Sequence, residues 1–333
     1  MSPTFVDTPT SLVAFLDSLP DCEGQPPSLY IDLEGNSLGR HGTLSIITIL
    51  VQPLETTYLI DVTTLGKETF TIKGHGGLTL KTILESPNII KVFFDVRNDS
   101  DALYSLYGIH LKAVEDIQLF EFASRTYDKR YVNGLAKCIE RHLQLPFAEQ
   151  QQWQRGKDQG RRLFDPKLGG SYAVFDKRPL TKAMMEYCAQ DVVHMPRLRE
   201  LYLNKLCDAW YVKIKAETEA RIRLSQTKTY DGKGDWKKFG PSAWALWGPS
   251  AQEMNVKTMF QSAPSKAMAG PSNGKVNSTV KASSLPLAKP QSFRHFEYDD
   301  DPFDEYDSND YDSPYDYYDD SNDFEDFTNK YSP

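Results

Sequence analysis

Three runs rich in β-branched residues follow one another near the start of the chain, with turn-like stretches between them. They are SLYIDL (residues 28–33), TLSIITILV (43–51) and TTYLIDV (56–62). Strands in such quick succession predict antiparallel neighbours in one sheet. A capped helix is predicted before them, in residues 7–19. The sequence therefore predicts a fold that begins with an antiparallel sheet.

Strand-like and helical segments alternate after these runs. The pattern predicts a short helix in residues 78–86, a buried strand in 89–94 and a helix that ends at Gly108. Helical patterns follow in residues 132–143 and 180–224, and Pro196 is expected to interrupt the second. This alternation predicts the α/β class.

The folded part is predicted to end near Ser225. Residues 225–290 mix Pro, Gly, Ser and Lys with little periodicity, and residues 291–333 alternate Asp with Tyr and Phe. Residues 291–333 contain fifteen acidic residues and two basic ones, Arg294 and Lys330, so this segment has a net charge of −13. The whole chain has a net charge of −8, so residues 1–290 have a net charge of +5. Such segments bury too little apolar surface to offset their ordering entropy. We expect one domain in residues 1–224, a disordered linker in 225–290 and a disordered acidic tail in 291–333.

Composition also limits the class of protein. The four cysteines show no C-x-x-C spacing and stand among apolar neighbours, which is typical of reduced thiols and predicts the nucleus or the cytoplasm. The first twenty residues lack the basic start and the uninterrupted apolar run of a signal peptide. The sequence has no run of about 18 apolar residues, so we expect no membrane span.

Two chemistries compete for the stretch SLYIDLEGNSLG, residues 28–39. Gly35-x-Ser37-x-Gly39 matches the nucleophile motif of hydrolases, which requires a helix directly after the serine. The residues that follow, RHGTLSIITILV, are strand-like, so this interpretation is not favoured. Asp32 and Glu34 stand two residues apart on a strand, so both can reach one pair of metal ions. A strand end that meets water is the simpler explanation for two such acids alone, and further inward-facing acids are needed to support a metal site.

One such acid lies in the helix before Gly108. Asp99 shares a helix face with Leu103 and Leu106, whereas Asp101 points away from that face. Asp95, at the end of the preceding strand, is expected in a turn or a cap and stays the reserve candidate for a metal ligand.

Another acid falls in the helical pattern 180–224. An apolar stripe there passes through an aspartate and consists of Met184, Cys188, Asp191, Met195, Leu198 and Tyr202. An unpaired buried charge is costly, so Asp191 needs a partner. Tyr187 lies one turn before it. His194 is a possible ligand or base, but a role in the core or at the surface is favoured.

Taken together, these residues resemble the three motifs of the DEDDy 3′–5′ exonucleases, the group that includes ribonuclease D and the Werner exonuclease. The matching residues are Asp32, Glu34, Asp99 and Asp191, with Tyr187 in a Y-x-x-x-D frame. Arg178-Pro179-Leu180-Thr181, continued to Asp191, is similar to the family's R-P-L-[ST]…Y-A-x-x-D-V signature. The stretch KVFFDVRNDSDAL (91–103) is most similar to the exonuclease 3′–5′ domain-containing proteins, some of which are RNA-binding adaptors. The resemblance spans about residues 10–205.

The resemblance implies a ribonuclease H-like mixed sheet flanked by helices, followed by the disordered C-terminal region. It implies that the four acids hold two Mg²⁺ or Mn²⁺ ions and that Tyr187 orients the attacking water. The implied reaction is 3′–5′ hydrolysis of single-stranded or frayed nucleic acid to nucleoside 5′-monophosphates. The alternative is a catalytically inactive RNA-binding adaptor or scaffold that keeps the exonuclease fold. The presence of all four acids and the tyrosine favours the enzyme.

Two charged segments have possible binding roles. A basic segment before the third motif contains Arg155, Lys157, Arg161, Arg162, Lys167, Lys177 and Arg178. It can follow the backbone of a single strand, although a solvated surface loop explains it equally well. The acidic tail is a candidate mimic of nucleic acid or a binding segment for a protein partner. The sequence leaves the oligomeric state and the choice between RNA and DNA open.

Overall fold

The computed structural model describes residues 2–20, 22–126, 129–244 and 247–248. In these residues, six strands form one mixed sheet in the order β1-β4-β3-β2-β5-β6. The strands are β1 (Thr4–Val6), β2 (Leu29–Glu34), β3 (Ile46–Val51), β4 (Thr56–Asp61), β5 (Lys91–Phe93) and β6 (Val114–Asp116). β2, β3 and β4 are antiparallel neighbours, as the three β-branched runs predict. β1 is parallel to β4, and β5 is parallel to both β2 and β6. The expected α/β class with a mixed sheet is confirmed.

Helices cover both faces of this sheet. Those of the described residues are α1 (Pro9–Ser18), α2 (Val62–Leu65), α3 (Glu68–Thr71), α4 (Leu80–Glu85), α5 (Arg97–Tyr107), α6 (Ile117–Ser124), α7 (Leu135–His142), α8 (Phe147–Phe164), α9 (Lys182–Val193), α10 (Met195–Leu203) and α11 (Asp208–Ser225). Leu29, Ile31 and Leu33 of β2 join one apolar cluster with residues of α1, α4 and α5. Tyr30, on the opposite face, joins a second cluster with residues of α6, α7, α10 and α11. The alternation of β2 therefore decides which helices its side chains meet.

Local sequence signals mark several helix ends. The side chain of Thr8 caps α1 by accepting a hydrogen bond from the backbone N–H of Ser11. α5 ends at Gly108, which adopts the left-handed conformation at φ +63° that favours glycine. Pro196 stands in the first turn of α10, directly after the end of α9, so the predicted interruption separates two helices.

Two segments differ from the sequence-based expectation. Residues 153–164 of the basic segment, expected as a possible surface loop, belong to helix α8, because Trp153 and Phe164 bury large rings against the rest of the domain. Residues 226–244, expected in the linker, pack on the domain, since Tyr230 and Trp244 are buried there. The remainder of the predicted linker and tail lies outside the described residues, apart from residues 247–248.

No helix in the described ranges combines the length and the apolar character needed to cross a bilayer.

Candidate active site

The acids of the first motif lie at the end of β2, on the face of the sheet opposite Leu33. Side chains alternate along a strand, so Asp32 and Glu34 share one face while Leu33 packs into the other core. Glu34 is 1% exposed, whereas Asp32 is partly exposed, and both line one cleft. After Ser37 the chain continues through turns into β3, and no helix follows the serine. The nucleophile motif of hydrolases requires such a helix, so the structure, like the sequence, disfavours this interpretation. The end of β2 therefore forms the floor of an acidic cleft.

The third motif brings Asp191 to the same floor. α9 packs against β2, β3 and β4, and carboxylate oxygens of Asp32, Glu34 and Asp191 lie within 4.8 Å of one another. Burial raises the pKa of all three carboxyls, and the neighbouring carboxylates raise those of Asp32 and Glu34 further. Glu34 Oε2 is buried and has no hydrogen-bond partner among the described residues. Three converging carboxylates, one with an unsatisfied oxygen, form a donor set that a hard divalent cation satisfies.

Asp99 joins this cleft from α5. It stands in the first turn of the helix, is 8% exposed and lines the cleft together with the other three acids. Among the described residues, the compact carboxylate group comprises the other three acids, and Asp99 lies outside it. Burial, and then the charge of Asp95, raise the pKa of Asp99 to about 8. The structure thus gathers all four predicted acids in one cleft, three of them in direct proximity.

Asp95 and Asp101, the neighbouring acids, are bound by arginines. Arg97 donates to both carboxylate oxygens of Asp95 at 2.5 and 2.7 Å. Burial acts to raise the pKa of Asp95, but the Arg97 guanidinium holds it well below the usual range. Asp101 accepts hydrogen bonds from the backbone N–H and the Nε of Arg40, both at 2.8 Å. Since both carboxylates are satisfied by arginines, Asp99 remains the better ligand candidate on this helix.

Tyr187 and a lysine complete the wall beside Asp191. Burial, and then the charges of Asp191 and Glu34, hold the pKa of Tyr187 well above its ordinary value, so the phenol is protonated at neutral pH. The ammonium of Lys157, on α8, contacts Asp191 Oδ1 and lies 4.4 Å from the centre of the Tyr187 ring. The centre of the Phe164 ring, also on α8, lies 5.0 Å from the centre of the Tyr187 ring. Tyr187 is thereby fixed between its own helix and α8.

Two glycines let α8 approach α9 this closely. A Cβ on Gly160 would lie 2.2 Å from Tyr187 Cδ2 and 2.7 Å from Tyr187 Cβ. A Cβ on Gly156, one turn earlier, would lie 2.1 Å from the side-chain amide nitrogen of Gln190. The sequence shows these glycines, but only the packing shows that they face the third motif.

The other predicted residues have different positions. His194 is buried at the junction of α9 and α10, outside the cleft, in agreement with the favoured structural role. Arg178 donates to Asp61 Oδ1 at 2.5 Å and to Oδ2 at 2.6 Å, so it holds the loop before α9 instead of following a nucleic acid. Of the basic segment, Lys157 and Arg161 line the cleft.

A second group of potential ligands lies away from the cleft and is a hydrogen-bonded network. It consists of Glu121, Cys138 and His142. Arg125 donates to both carboxylate oxygens of Glu121, and Asn133 donates to one of them at 3.0 Å. His142 Nδ1 is hydrogen-bonded to a tyrosine hydroxyl at 2.6 Å. The Glu121 carboxylate and His142 Nδ1 are therefore already engaged in hydrogen bonds within the domain.

The site also contains one residue and one contact that the sequence did not single out. Lys237 lines the cleft from the segment after α11, in a region expected as linker. The contact between Lys157 and Asp191 was not predicted, although the need for a partner of Asp191 was. Both residues belong to Lys-containing stretches, and no local signal distinguishes them from solvated lysines.

Comparisons with known proteins identify the family of this chain. A family profile described as 3′–5′ exonuclease matches residues 3–206, more than half of the chain. The human piRNA biogenesis protein EXD1 is 34% identical over 188 residues, which cover 54% of this chain and 32% of that protein. The mouse protein of the same name is 27% identical over 188 residues, 54% of this chain and 29% of that protein. The chain thus spans about a third of the length of the curated relatives it matches.

Solved structures share the fold. The Trypanosoma brucei RNase D in complex with RNA U12 matches with a TM-score of 0.57 and 21% identity, over 72% of this chain and 76% of that one. The same enzyme in complex with GMP matches with a TM-score of 0.56 and 22% identity, over 72% of this chain and 69% of that one. The mixed sheet flanked by helices is accordingly ribonuclease H-like. The chain belongs to the DEDDy family of 3′–5′ exonucleases.

Proposed function

We propose that this chain removes nucleotides from the 3′ end of single-stranded or frayed nucleic acid by hydrolysis. Water adds its hydroxyl to the phosphorus of the terminal linkage, and the bond from phosphorus to the 3′ oxygen breaks. The 3′ oxygen takes up a proton, and a nucleoside 5′-monophosphate is released. The observation that carries the proposal is the convergence of Asp32, Glu34 and Asp191 within 4.8 Å, with Asp99 in the same cleft.

The residues fit a pair of divalent cations. Glu34 Oε2 is buried without a partner, and all the candidate ligands are carboxylates, which Mg²⁺ and Mn²⁺ prefer. We assign Asp32, Glu34, Asp99 and Asp191 as the ligands. When bound, such ions supply an activated water and stabilise the charge that develops on the leaving oxygen.

Tyr187 has a separate role in the proposal. Its phenol is protonated at neutral pH, so it donates a hydrogen bond and does not act as a strong base. Its ring is fixed by Phe164, at 5.0 Å, and by the ammonium of Lys157. A phenol held this way can orient the attacking water.

Lys157 keeps the acidic floor from carrying its full negative charge. Its ammonium contacts Asp191 Oδ1, and the Asp191 carboxylate is also one of the proposed metal ligands. Once Lys157 releases this oxygen, its ammonium lies within the cleft and can contact a phosphate of the substrate.

RNA is the first substrate class to test. The RNase D that shares this fold is described in complex with RNA U12 and with GMP, and the matched human protein is named for piRNA biogenesis. A nucleoside monophosphate is also the product that the proposed reaction releases.

The test uses the full chain and a short 5′-labelled single strand, in matched RNA and DNA forms, with Mg²⁺ or Mn²⁺ and with EDTA. The test variant combines Asp32→Asn with Glu34→Gln, which keep the shapes of the side chains and remove their charges. The control is Glu219→Gln, an exposed acid on α11. Calorimetric titration with Mn²⁺ measures ion binding independently of hydrolysis.

The expected result is a metal-dependent ladder for the wild type and for Glu219→Gln, and no ladder for the double variant. The double variant should also lose Mn²⁺ binding. A wild type that binds the strands but never shortens them would overturn the enzymatic proposal and favour an RNA-binding adaptor. A double variant that cleaves normally would overturn the residue assignment.

A further inference from the structure

The four residues that flank Asp99 on α5 are all bonded to other parts of the domain. They are Arg97, Asn98, Ser100 and Asp101, and each of them is buried. Asp99 lines the cleft but lies outside the compact group that the other three acids form. The position of α5 therefore decides how close the Asp99 carboxylate comes to that group.

Most of these bonds lead to a segment that we call the extension, residues 208–244. It consists of α11 and the residues that follow it, and it lies beyond residues 3–206, the range that the family profile matches. α11 packs against α5, and the rings of Tyr230 and Trp244 are buried in the domain. The extension is thus part of the folded domain, although the family profile assigns it no role.

Two hydroxyl groups of the extension reach the residues on either side of Asp99. Tyr230 donates its hydroxyl to Asn98 Oδ1 at 2.7 Å in a buried position. The hydroxyls of Ser225 and Ser100, both fully buried, are hydrogen-bonded at 2.9 Å. The first turn of α5 is therefore bound on both sides of the acid.

Arg97, the first residue of α5, makes a third contact with the extension. It donates to the backbone carbonyl of Lys237 at 3.0 Å, and its guanidinium lies 5.4 Å from the centre of the Trp236 ring. The same guanidinium binds both carboxylate oxygens of Asp95, which stands after β5. The beginning of α5 is thus held between the end of a strand and the extension.

Arg40 adds a fourth link and connects it to the first motif, because it lies in the turns that follow β2. Its backbone N–H and its Nε donate to the Asp101 carboxylate, both at 2.8 Å. Its two terminal nitrogens donate to the carbonyls of Lys228 at 3.1 Å and Ser225 at 2.8 Å, at the C-terminal end of α11. A cation is favourable there, since the last carbonyls of a helix have no partner within the helix. One side chain therefore joins the turn after the first motif, α5 and the extension.

We propose that the extension, together with Arg40, positions Asp99 for metal binding. This role rests on the proposed function and adds to it residues outside the three motifs. An aspartate side chain is short, so a small shift of its helix moves the carboxylate away from an ion, and ligands must be held to within about 0.5 Å. Tyr230 tests this role most directly, because it acts through Asn98 and does not line the cleft.

The experiment uses the full chain and two readouts. Calorimetric titration with Mn²⁺, without nucleic acid, measures ion binding, and steady-state shortening of a 5′-labelled strand separates kcat from KM. The first variant, Tyr230→Phe, removes one hydroxyl and keeps the ring. The second combines Arg40→Met with Asp101→Asn, which removes both charges of the ion pair, so that neither is left buried without its partner.

Tyr211→Phe is the matched control. It removes a hydroxyl that also donates at 2.7 Å, to Glu115 Oε1, and neither residue lines the cleft. Thermal unfolding of each variant measures the loss of stability, which the control shares with Tyr230→Phe. A change in Mn²⁺ affinity that is confined to Tyr230→Phe therefore does not follow from lower stability alone.

Tyr230→Phe should weaken Mn²⁺ binding by about 3- to 10-fold and lower kcat by a similar factor, with KM within about twofold of the wild type. This effect is smaller than the loss of about 10- to 100-fold that follows removal of a group in contact with a metal ligand. The variant without the ion pair should show the same pattern, and Tyr211→Phe should match the wild type in both readouts.

The same change in Asp99→Asn separates positioning from a general structural role. If Tyr230 acts through Asp99, then Tyr230→Phe should not weaken the remaining Mn²⁺ binding of Asp99→Asn any further. An equal loss of affinity in both backgrounds, or no loss in the wild-type background, would overturn the positioning role. A wild type that binds no Mn²⁺ would instead overturn the ligand assignment of the proposed function.

Discussion

The close approach of α8 to α9 makes a sharp prediction for Gly160→Ala. A Cβ at residue 160 would lie 2.2 Å from Tyr187 Cδ2, 2.5 Å from Cγ and 2.7 Å from Cβ. A rotation about χ1 moves the ring but cannot move the Tyr187 Cβ, so the helices must separate or Tyr187 must shift. Overpacking of this kind costs about 1–3 kcal/mol, whereas alanine in place of glycine in a helix gains about 0.5–1 kcal/mol. We therefore expect a net loss of up to about 2.5 kcal/mol in the free energy of unfolding.

Gly156→Ala is the matched control on the same helix. Its Cβ would meet the end of the Gln190 side chain, at 2.1 Å from Nε2. Gln190 Oε1 has no hydrogen-bond partner among the described residues, so the amide can rotate away without breaking a bond of that oxygen. The helix-propensity gain is the same as at Gly160, and the net effect should be a stabilisation of about 0–1 kcal/mol.

Urea unfolding and initial rates of strand shortening measure the two consequences. Gly160→Ala should lower kcat by about 10-fold or more, since it displaces the phenol that orients the water, and should approach the rate of Tyr187→Phe. Gly156→Ala should keep the wild-type rate within about twofold. If Gly160→Ala proves as stable and as active as Gly156→Ala, then Tyr187 is not held by this packing and the argument fails.

Three further predictions concern charges inside the domain. Lys157→Met should lower the melting temperature in EDTA and tighten Mn²⁺ binding in calorimetry, because Asp191 loses a contact that competes with the ion; weaker Mn²⁺ binding would contradict this competition. The pKa of Asp99 is raised to about 8, so the metal-free fold binds more protons than the unfolded chain and loses stability between about pH 4 and 8. Asp99→Asn should therefore be more stable than the wild type at pH 8 in EDTA by up to a few kcal/mol, with little difference at pH 4, as measured by urea unfolding. Burial, and then the charge of Lys112, lower the pKa of Lys91 to about 7, so the fold binds fewer protons than the unfolded chain above that pH. Stability should rise from pH 7 to 10, and Lys91→Met should flatten this rise; an unchanged slope in the variant would remove Lys91 as its cause.

Much of the site follows from local patterns in the sequence. The two-residue spacing puts Asp32 and Glu34 on one face of β2, and the turn-like stretches around the β-branched runs separate three antiparallel strands. Asp99 and Asp191 interrupt apolar stripes, which indicates that they face inward, and both are 8% exposed. Such signals work because strand and helix periodicities fix the direction of each side chain within its own element.

The sequence was less informative where a segment is stabilised by distant partners. α8 contains many polar residues and two glycines, so its local preference for a helix is weak. It is nevertheless a helix, because Trp153 and Phe164 are buried and the glycines fit against α9. Residues 226–244 were expected as linker for a similar reason, since their composition is that of a flexible segment while Tyr230 and Trp244 bury their rings in the domain.

By itself, the sequence determined the α/β class, the antiparallel start of the sheet and the four acids that face inward. The tertiary structure decided which of those acids meet, that Lys157 contacts Asp191 and that Lys237 reaches the cleft from beyond the matched domain. Periodicity encodes the direction of a side chain relative to its own backbone, and that information is local. Contacts such as that of Arg178 with Asp61 join residues far apart in the chain, and they exist only once the sheet and the helices have closed the loops between them.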